Sequence, residues 1–466
     1  MNDKAQIVED EDSSGFYAKH KKVYPREVHG LFATLRVLGV FTLLGLYYVV
    51  PWLYWNGHQA VLFDLPARRF YIFGLTFWPQ DFFYLAVLLI IAALSLFYFT
   101  ALAGRLWCGY ACPQTVWTEV FLWIERKVEG DRNKQIKLDK SPLTKAKFNR
   151  KALKHFIWIV FSLWTGFTFV GYFTPILNLG QELLQLTLGP WEWFWIIFYS
   201  FATYGNAGWM REQVCIYMCP YARFQSAMFD KDTLVISYDE KRGEPRGARS
   251  KSVDPAEKGL GACVDCTLCV QVCPTGIDIR DGLQYQCIGC AACVDVCNEV
   301  MDKMGYARNL IKYTTENAIE GKKSSIFRPR IVIYTVILLA IVSALIYSMA
   351  TRIPLELDII RDRNALYRTT SSGMIENIYT LKIANMDTRV HHYKITMQSD
   401  FNARLIMRRD DIVVQPGLSE NFSARVEADP VDIKKISQKL HFTLVATDDE
   451  SLKVEETGVF IGSGAR

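Results

Sequence analysis

Residues 263–274 read CVDCTLCVQVCP, and residues 287–298 read CIGCAACVDVCN. Each contains the run C-x2-C-x2-C-x3-C. Three thiolates separated by two residues each can wrap a tight loop around three corners of one small inorganic core. The fourth corner must then be reached from elsewhere in the chain, and a crossed arrangement of the two runs supplies it.

This is the spacing of two-cluster bacterial ferredoxins, in which the fourth cysteine of each run ligates the other cluster. By that rule Cys263, Cys266, Cys269 and Cys297 hold one [4Fe–4S] cluster, and Cys287, Cys290, Cys293 and Cys273 hold the other. A zinc site takes four ligands, not two interleaved sets of four. Asn298 departs from the pattern, since proline usually follows the last cysteine; it is expected to change solvent access or the local hydrogen bonds, and not ligation. The expected fold around residues 260–300 is small, with two short helices and two short hairpins, and the clusters form much of its core. A charged, Gly/Pro-punctuated linker precedes it.

Half of the 466 residues are hydrophobic, and they collect in blocks between stretches of dense charge. Five blocks approach the roughly 20 apolar residues that cross a bilayer: Val37–Trp55, Phe82–Ala103, Phe156–Leu177, Trp191–Trp209 and Ile331–Ala350. None has the flanks of a cleaved signal peptide. Lys and Arg crowd the arm 1–36 (Lys19, Lys21, Lys22, Arg26) and the segment 104–155, whereas Asn178–Pro190 has none. The positive-inside rule therefore places the arm, the basic loop 104–155 and residues 210–330 in the cytoplasm, and residues 351–466 outside. The net charge of +5 then follows from topology and is no sign of nucleic-acid binding. All 12 cysteines fall between Cys108 and Cys297, on the cytoplasmic side. In a reducing compartment, clustered cysteines point to metal or redox chemistry rather than structural disulfides.

Eight cysteines serve the two clusters, which leaves Cys108, Cys112, Cys215 and Cys219. They lie in GRLWCGYACPQ (104–114) and REQVCIYMCPY (211–221), two copies of C-x3-C-P at the ends of apolar segments. On a helix, residues four apart share a face, and Pro113 and Pro220 interrupt regular helix. The order span, span, C-x3-C-P occurs twice, so an internal repeat of helical hairpins would bring both pairs together. Four soft thiolates at one place suit Cu(I), Zn or iron–sulfur chemistry.

The doubled C-x3-C-P, the two-cluster ferredoxin, the five-span layout with its C-terminal outer domain, and YDEKRGEPRG at Tyr238–Gly247 together resemble the FixG/CcoG family. These are accessory proteins of cbb3-type cytochrome c oxidase. The resemblance covers nearly the whole chain. It implies a cupric reductase of the bacterial inner membrane, converting Cu(II) to Cu(I) for the oxidase's copper centre. Cys108, Cys112, Cys215 and Cys219 are then the catalytic candidates, as copper ligands or electron-delivery groups. Oxidase assembly factors or copper chaperones are the implied partners, and lipid the surroundings.

Two other classes fit the same residues. A quinol dehydrogenase would pass electrons between the quinone pool and a partner reductase. A non-catalytic assembly scaffold would use its clusters only structurally. Bis-His haem is disfavoured, because His20, His29, His58, His155, His391, His392 and His441 all lie outside the five blocks. No dinucleotide fingerprint is evident, so the electron donor is a partner or quinol. In the outer domain, NIYTLKIAN, HYKITMQ, NFSARVEA and LHFTLVATD alternate apolar and polar residues between turn signals. This predicts a cysteine-free immunoglobulin-like sandwich, suited to docking a partner. His391 and His392 are adjacent on one predicted strand and so face opposite ways.

Overall fold

The structure, a computed structural model, describes residues 22–55, 57–252, 258–387, 389–408 and 411–462. The acidic VEDEDSS stretch, Lys19 and Lys21, and the centre of the linker before the cysteine runs lie outside these residues. The chain divides into two units: Met1–Gly74 with Pro79–Leu339, and Leu75–Trp78 with Ala340–Arg466.

The first unit begins with helix α1 (Leu31–Val49), prolonged by a turn through Trp52. It starts upstream of the predicted Val37. Its N-terminal amides are satisfied from a distant part of the chain: Phe32 and Ala33 N–H donate to the Asp295 carboxylate at 3.3 and 2.7 Å. Free amides at a helix start need such partners, and hydropathy cannot see one 262 residues away. Strands β1 (Tyr54–Trp55) and β2 (His58–Gln59) pair, as do β3 (Val61–Asp64) and β4 (Arg69–Ile72). Strand β5 (Leu75–Phe77) falls in the second unit. Helix α2 (Phe82–Ala103) coincides with the predicted block.

The segment expected to be a basic loop is largely helical. It contains α3 (Leu106–Tyr110), α4 (Pro113–Glu129) and α5 (Arg132–Lys140). Helix α6 (Lys145–Val170) then starts well before the predicted Phe156. The Thr144 hydroxyl caps it by accepting from Lys147 N–H at 3.2 Å, and its Lys151 and Lys154 are paired with carboxylates. His155 thus lies within this helix rather than at its border, with Nδ1 2.9 Å from the Tyr204 hydroxyl. Helix α7 (Ile176–Gln185) follows Pro175, and α8 (Pro190–Thr203) winds on as a π-helix through Met210. Helices α6 and α8 meet closely at Gly166, where a β-carbon would come 2.4 Å from the Ile196 carbonyl oxygen. Small residues allow such backbone approach between apolar helices.

A second π turn, Val214–Met218, leads into α9 (Pro220–Met228). Among the described residues, four helical segments are long and apolar enough to cross a membrane: Leu31–Trp52, Phe82–Ala103, Lys145–Val170 and Pro329–Ala350. The remaining block, Trp191–Trp209, is part α-helix and part π-helix.

The two cysteine runs sit on α11 (Leu268–Gln271) and α12 (Ala292–Met304), after the short α10 (Glu240–Gly243). Instead of two hairpins, one antiparallel ladder supports them, β6 (Val235–Tyr238) against β7 (Ile311–Thr314). Both strands lie outside 260–300. The runs spend their backbone on loops around the cysteines, so the ladder comes from the flanks. A short α13 (Glu316–Ile319) and the apolar α14 (Pro329–Ala350) follow.

The second unit is a sandwich of antiparallel strands: β8 (Leu355–Arg361), β9 (Arg368–Thr369), β10 (Ile375–Asn385), β11 (His391–Ser399), β12 (Ala403–Met407), β13 (Ile412–Val414), β14 (Ser419–Ala428), β15 (Ser437–Ala446) and β16 (Lys453–Ile461). One sheet runs β12-β14-β10-β8, with β9 also on β10; the other runs β13-β11-β15-β16. The four quoted alternating stretches fall on β10, β11, β14 and β15. Tyr379, Leu381, Tyr393, Phe442 and Phe460 close the core between the sheets.

Candidate electron-transfer site

The folded chain sorts the eight cysteines of the two runs into separate cavities. A cavity of about 360 Å³ is lined by Cys263, Cys266, Cys269 and Cys297, with Tyr238, Met301 and Ile311 among its walls. A second, of about 340 Å³, is lined by Cys273, Cys287, Cys290 and Cys293, with Cys269, Ile236, Ile277 and Ile279 also in its wall. These are the two crossed sets. Apolar walls and inward thiols are the chemistry an iron–sulfur cluster requires, so the residues present fit two such clusters. Burial pushes the Cys269, Cys287 and Cys297 thiols up to about 12. Iron ligation would replace those protons, since the thiolate is the metal ligand. Cys266 is exposed, whereas the other seven are buried or half-buried.

The two C-x3-C-P pairs are built alike. Cys112 and Cys219 both leave the preceding turn in extended conformation (φ −62°, ψ 129° and φ −77°, ψ 111°). Pro113 and Pro220 then occupy the first position of α4 and α9, where the missing N–H costs nothing. So each proline starts a helix rather than merely ending one. The turns before them differ: Cys108 lies on the α-turn α3, and Cys215 on the π turn. The Gln114 side chain ties the copies together, donating to the carbonyls of Asn206 (2.9 Å) and Arg211 (3.1 Å).

Burial raises Cys215 to about 12, and Cys112, Cys108 and Cys219 add to the rise. Burial likewise lifts Cys108 to about 11, opposed by the Gln225 amide. Gln225 is fully buried, with its Nε2 and Oε1 at 3.4 and 3.6 Å from Cys108 Sγ. Among the described residues, no three His, Cys, Asp or Glu side chains form a group that could hold a single metal ion.

This site abuts the ferredoxin. A β-carbon on Gly109, inside the first C-x3-C, would lie 2.8 Å from the Gly289 carbonyl oxygen and 2.9 Å from Cys290 Cα. Gly289 itself has φ +69°, and a β-carbon on it would lie 3.1 Å from the Arg105 carbonyl oxygen, so only glycine suits either position. Cys108 and Cys215 pack on the apolar cluster of Ile288, Cys290 and Val296. Asp295, from the second run, caps α1, and Arg36 of α1 donates to the Cys290 carbonyl at 2.9 Å.

Sequence reasoning missed a buried ion network behind the second pair. Glu125 is fully buried and bonds Arg211 at 2.8 Å, with Lys154 at 3.3 Å and Lys22 at 3.4 Å. Burial would raise its carboxyl, but Arg211, Lys22 and Lys154 prevail and hold it at about 2. Lys154 and Lys151 also bind Glu129 at 2.9 and 2.8 Å. The spacing of Glu125 and Glu129 on one helix face was the available signal; their partners come from other elements. Between the network and the ferredoxin runs a cleft of about 570 Å³, lined by Arg36, Glu119, Arg211, Cys215, Ile288 and Cys290 among others.

Comparison with known proteins agrees with this architecture. Residues 210–316 match the 4Fe-4S dicluster domain, residues 85–129 a 4Fe-4S binding domain, and residues 345–463 the IG-like fold at the C-terminal of FixG. Protein RdxB of Cereibacter sphaeroides is 41% identical over 90% of both chains. Protein RdxA of the same organism is 41% identical over 84% of this chain and 85% of its own. Nitrogen fixation protein FixG of Rhizobium meliloti is 39% identical over 82% of this chain and 80% of its own. A solved FixG-related protein from Vibrio parahaemolyticus aligns with 24% of this chain and 97% of its own, at 28% identity and a TM-score of 0.22. With its paired cysteine sets, its apolar helices and relatives of this closeness, the chain belongs to the FixG family of iron–sulfur electron-transfer proteins.

Proposed function

We propose that this protein is a membrane-bound cupric reductase that makes Cu(I) for the copper centre of a cbb3-type oxidase. The observation that carries the reading is the backbone contact of Gly109 with Gly289 and Cys290. It sets the C-x3-C-P thiols against one ferredoxin ligand set, and electron tunnelling falls off exponentially with distance. In this reading Cys263, Cys266, Cys269 and Cys297 hold one [4Fe–4S] cluster, and Cys273, Cys287, Cys290 and Cys293 the other. When bound, these clusters would supply one-electron transfer.

The chain's own residues position the route. Asp295 and Arg36 fasten the ferredoxin to α1. Gln114 joins the two C-x3-C-P copies. The Glu125–Arg211 pair anchors the segment that carries Cys215. Cys108, Cys112, Cys215 and Cys219 deliver electrons to the substrate, Cu(II). The α8 helix with its π extension completes five spans in the inner membrane, with the ferredoxin cytoplasmic and the β domain periplasmic. Oxidase assembly factors or copper chaperones receive the product.

Reduced, cluster-loaded protein should reoxidise rapidly on addition of Cu(II). Replacing Cys215 and Cys219 together with serine should abolish this while the cluster absorbance persists. An unchanged reaction would remove those thiols from the mechanism. The cleft beside Cys215 and Cys290 favours a second reading, quinol dehydrogenation. It joins apolar walls to Arg36 and Arg211. Direct reduction of the clusters by a quinol analogue would select that reading.

A further inference from the structure

We propose that electrons enter this protein at the turn Asp265–Cys266–Thr267, donated by a small acidic one-electron carrier protein that docks there. The proposal rests on the electron-transfer reading above and adds the class of donor and the order in which the two cysteine sets are used.

The two runs make the same turn around their second cysteine. Asp265 and Thr267 have φ of 49° and 55°, and their counterparts Gly289 and Ala291 have 69° and 56°. The surroundings are opposite. Gly289, Cys290 and Ala291 are all buried, whereas Asp265, Cys266 and Thr267 are all exposed. Glycine lets the second turn press against Arg105 and Gly109, while aspartate and threonine suit the first to water. All eight cysteines of the runs line a cavity, yet Cys266 alone among them is exposed, so its exposure comes from the solvent side.

This fixes the order. Cys269 stands in both cavity walls, so the two sets adjoin. Cys108 and Cys215 pack on the cluster that contains Cys290, so that set lies at the acceptor end. The set with Cys266 is then the other end of the path, and an electron arriving from solution meets it first.

The rim of the turn fits an anionic partner. Residues 241–251, KRGEPRGARSK, carry five cations and one carboxylate. Gly247 N–H in this loop donates to the Cys263 carbonyl at 3.2 Å. Arg242 donates to the carbonyls of Ala307 and Arg308, and Arg249 to those of Gly261 and Cys263 at 2.6 and 3.2 Å. Bonds to neutral carbonyls leave both positive charges uncancelled. The carboxylates beside the turn are already countered: Arg280 binds Asp265 and Asp278, each at 2.6 Å, and Arg246 stands 3.8 Å from both Asp281 and Glu244. A cationic rim speeds encounter with an anionic partner. Electron-transfer encounters use small interfaces, so one turn and one loop suffice. The step moves one electron from the reduced carrier to the group held by Cys263, Cys266, Cys269 and Cys297. An iron–sulfur carrier releases no proton with it.

The test uses full-length, cluster-loaded protein in detergent and an acidic plant-type ferredoxin as the probe. Carbodiimide joins a carboxylate of one protein to a lysine amine of the other, so peptide mass spectrometry should place the probe on Lys251. Association measured by interferometry should weaken about tenfold between about 20 and 200 mM salt. Arg246→Glu combined with Lys251→Glu should slow association about tenfold and leave the cluster absorbance in place. Lys382→Glu in the β domain should change nothing. Cross-links confined to the lysines of residues 134–151, or association indifferent to the double substitution, overturns the proposal. If the probe docks at the turn and reduces the protein but Cu(II) fails to reoxidise it, the copper reading fails and the entry surface stands. If Cu(II) reoxidises the chemically reduced protein but the probe does not dock at the turn, the surface fails and the copper reading stands.

Discussion

In the β domain, Tyr379, Tyr393, Phe442 and Phe460 are fully buried between two sheets, and the rest of its core is aliphatic. In the ferredoxin segment, Cys263, Cys269 and Cys290 stand among the buried apolar side chains, and two cavities of about 340 and 360 Å³ occupy its middle. Both regions are small. One is held by side chains that exclude water, and the other leaves room where cofactors would supply the missing contacts. Small domains that cannot build enough core depend on such staples. The ferredoxin is also joined at several points to the helices beside it, through Asp295, Arg36 and Gly289.

The contrast is broken most severely by removing iron. Chelation under reducing conditions should unfold the ferredoxin segment, because metal binding free energy is folding free energy at such sites. Limited proteolysis should then cut between residues 240 and 310 while the β domain stays intact. Simultaneous loss of both would show that the β domain leans on the clusters too.

Core truncation tests the other side. Phe442→Ala should cost the β domain about 3–5 kcal/mol, read by chemical denaturation, and leave the cluster absorbance unchanged. A smaller loss would mean the two sheets collapse into the space left behind.

Asp295→Ala should cost about 1 kcal/mol, the usual worth of a helix N-cap. It should also slow electron passage from the ferredoxin to the C-x3-C-P thiols, because α1 loses its link to the second run. Rapid-mixing absorbance would record this. An unaltered rate would assign the docking to Arg36 and the glycine contact alone.

The smallest effect concerns His391 in the β domain. Its Nδ1 and Nε2 face Asp448 and Asp387 at 2.7 and 2.9 Å. Both nitrogens can donate only as imidazolium. Burial opposes the charge, but the two carboxylates prevail and raise its pKa above the ordinary 6.5. A raised histidine pKa stabilises the fold below the unfolded value and loses that contribution as pH rises through the folded value. Asp448 is lowered, so its share is lost on acidification instead. Melting temperature of the intact protein's β transition should therefore decline above neutral pH, and H391Q should flatten that decline. A slope of the same size in H391Q would place the titration elsewhere.

The crossed cysteine sets were legible because local spacing dictates which corners of a cluster a loop can reach. The strands β10, β11, β14 and β15 were legible because a half-buried strand must alternate. The helix of residues 82–103 was legible from apolar length alone. Other features depend on partners far away in the chain. Helix α1 begins at Leu31 because Asp295 receives its amides, and Glu125 stays ionised in the interior because Arg211, Lys154 and Lys22 surround it. The π winding of 204–218 and the meeting of Gly109 with Gly289 are likewise invisible to periodicity. The amino-acid sequence determined which groups can carry electrons, since ligand chemistry is local. The tertiary structure alone decided which ferredoxin set lies beside the C-x3-C-P thiols, because that contact joins residues some 180 positions apart through packing no single segment encodes.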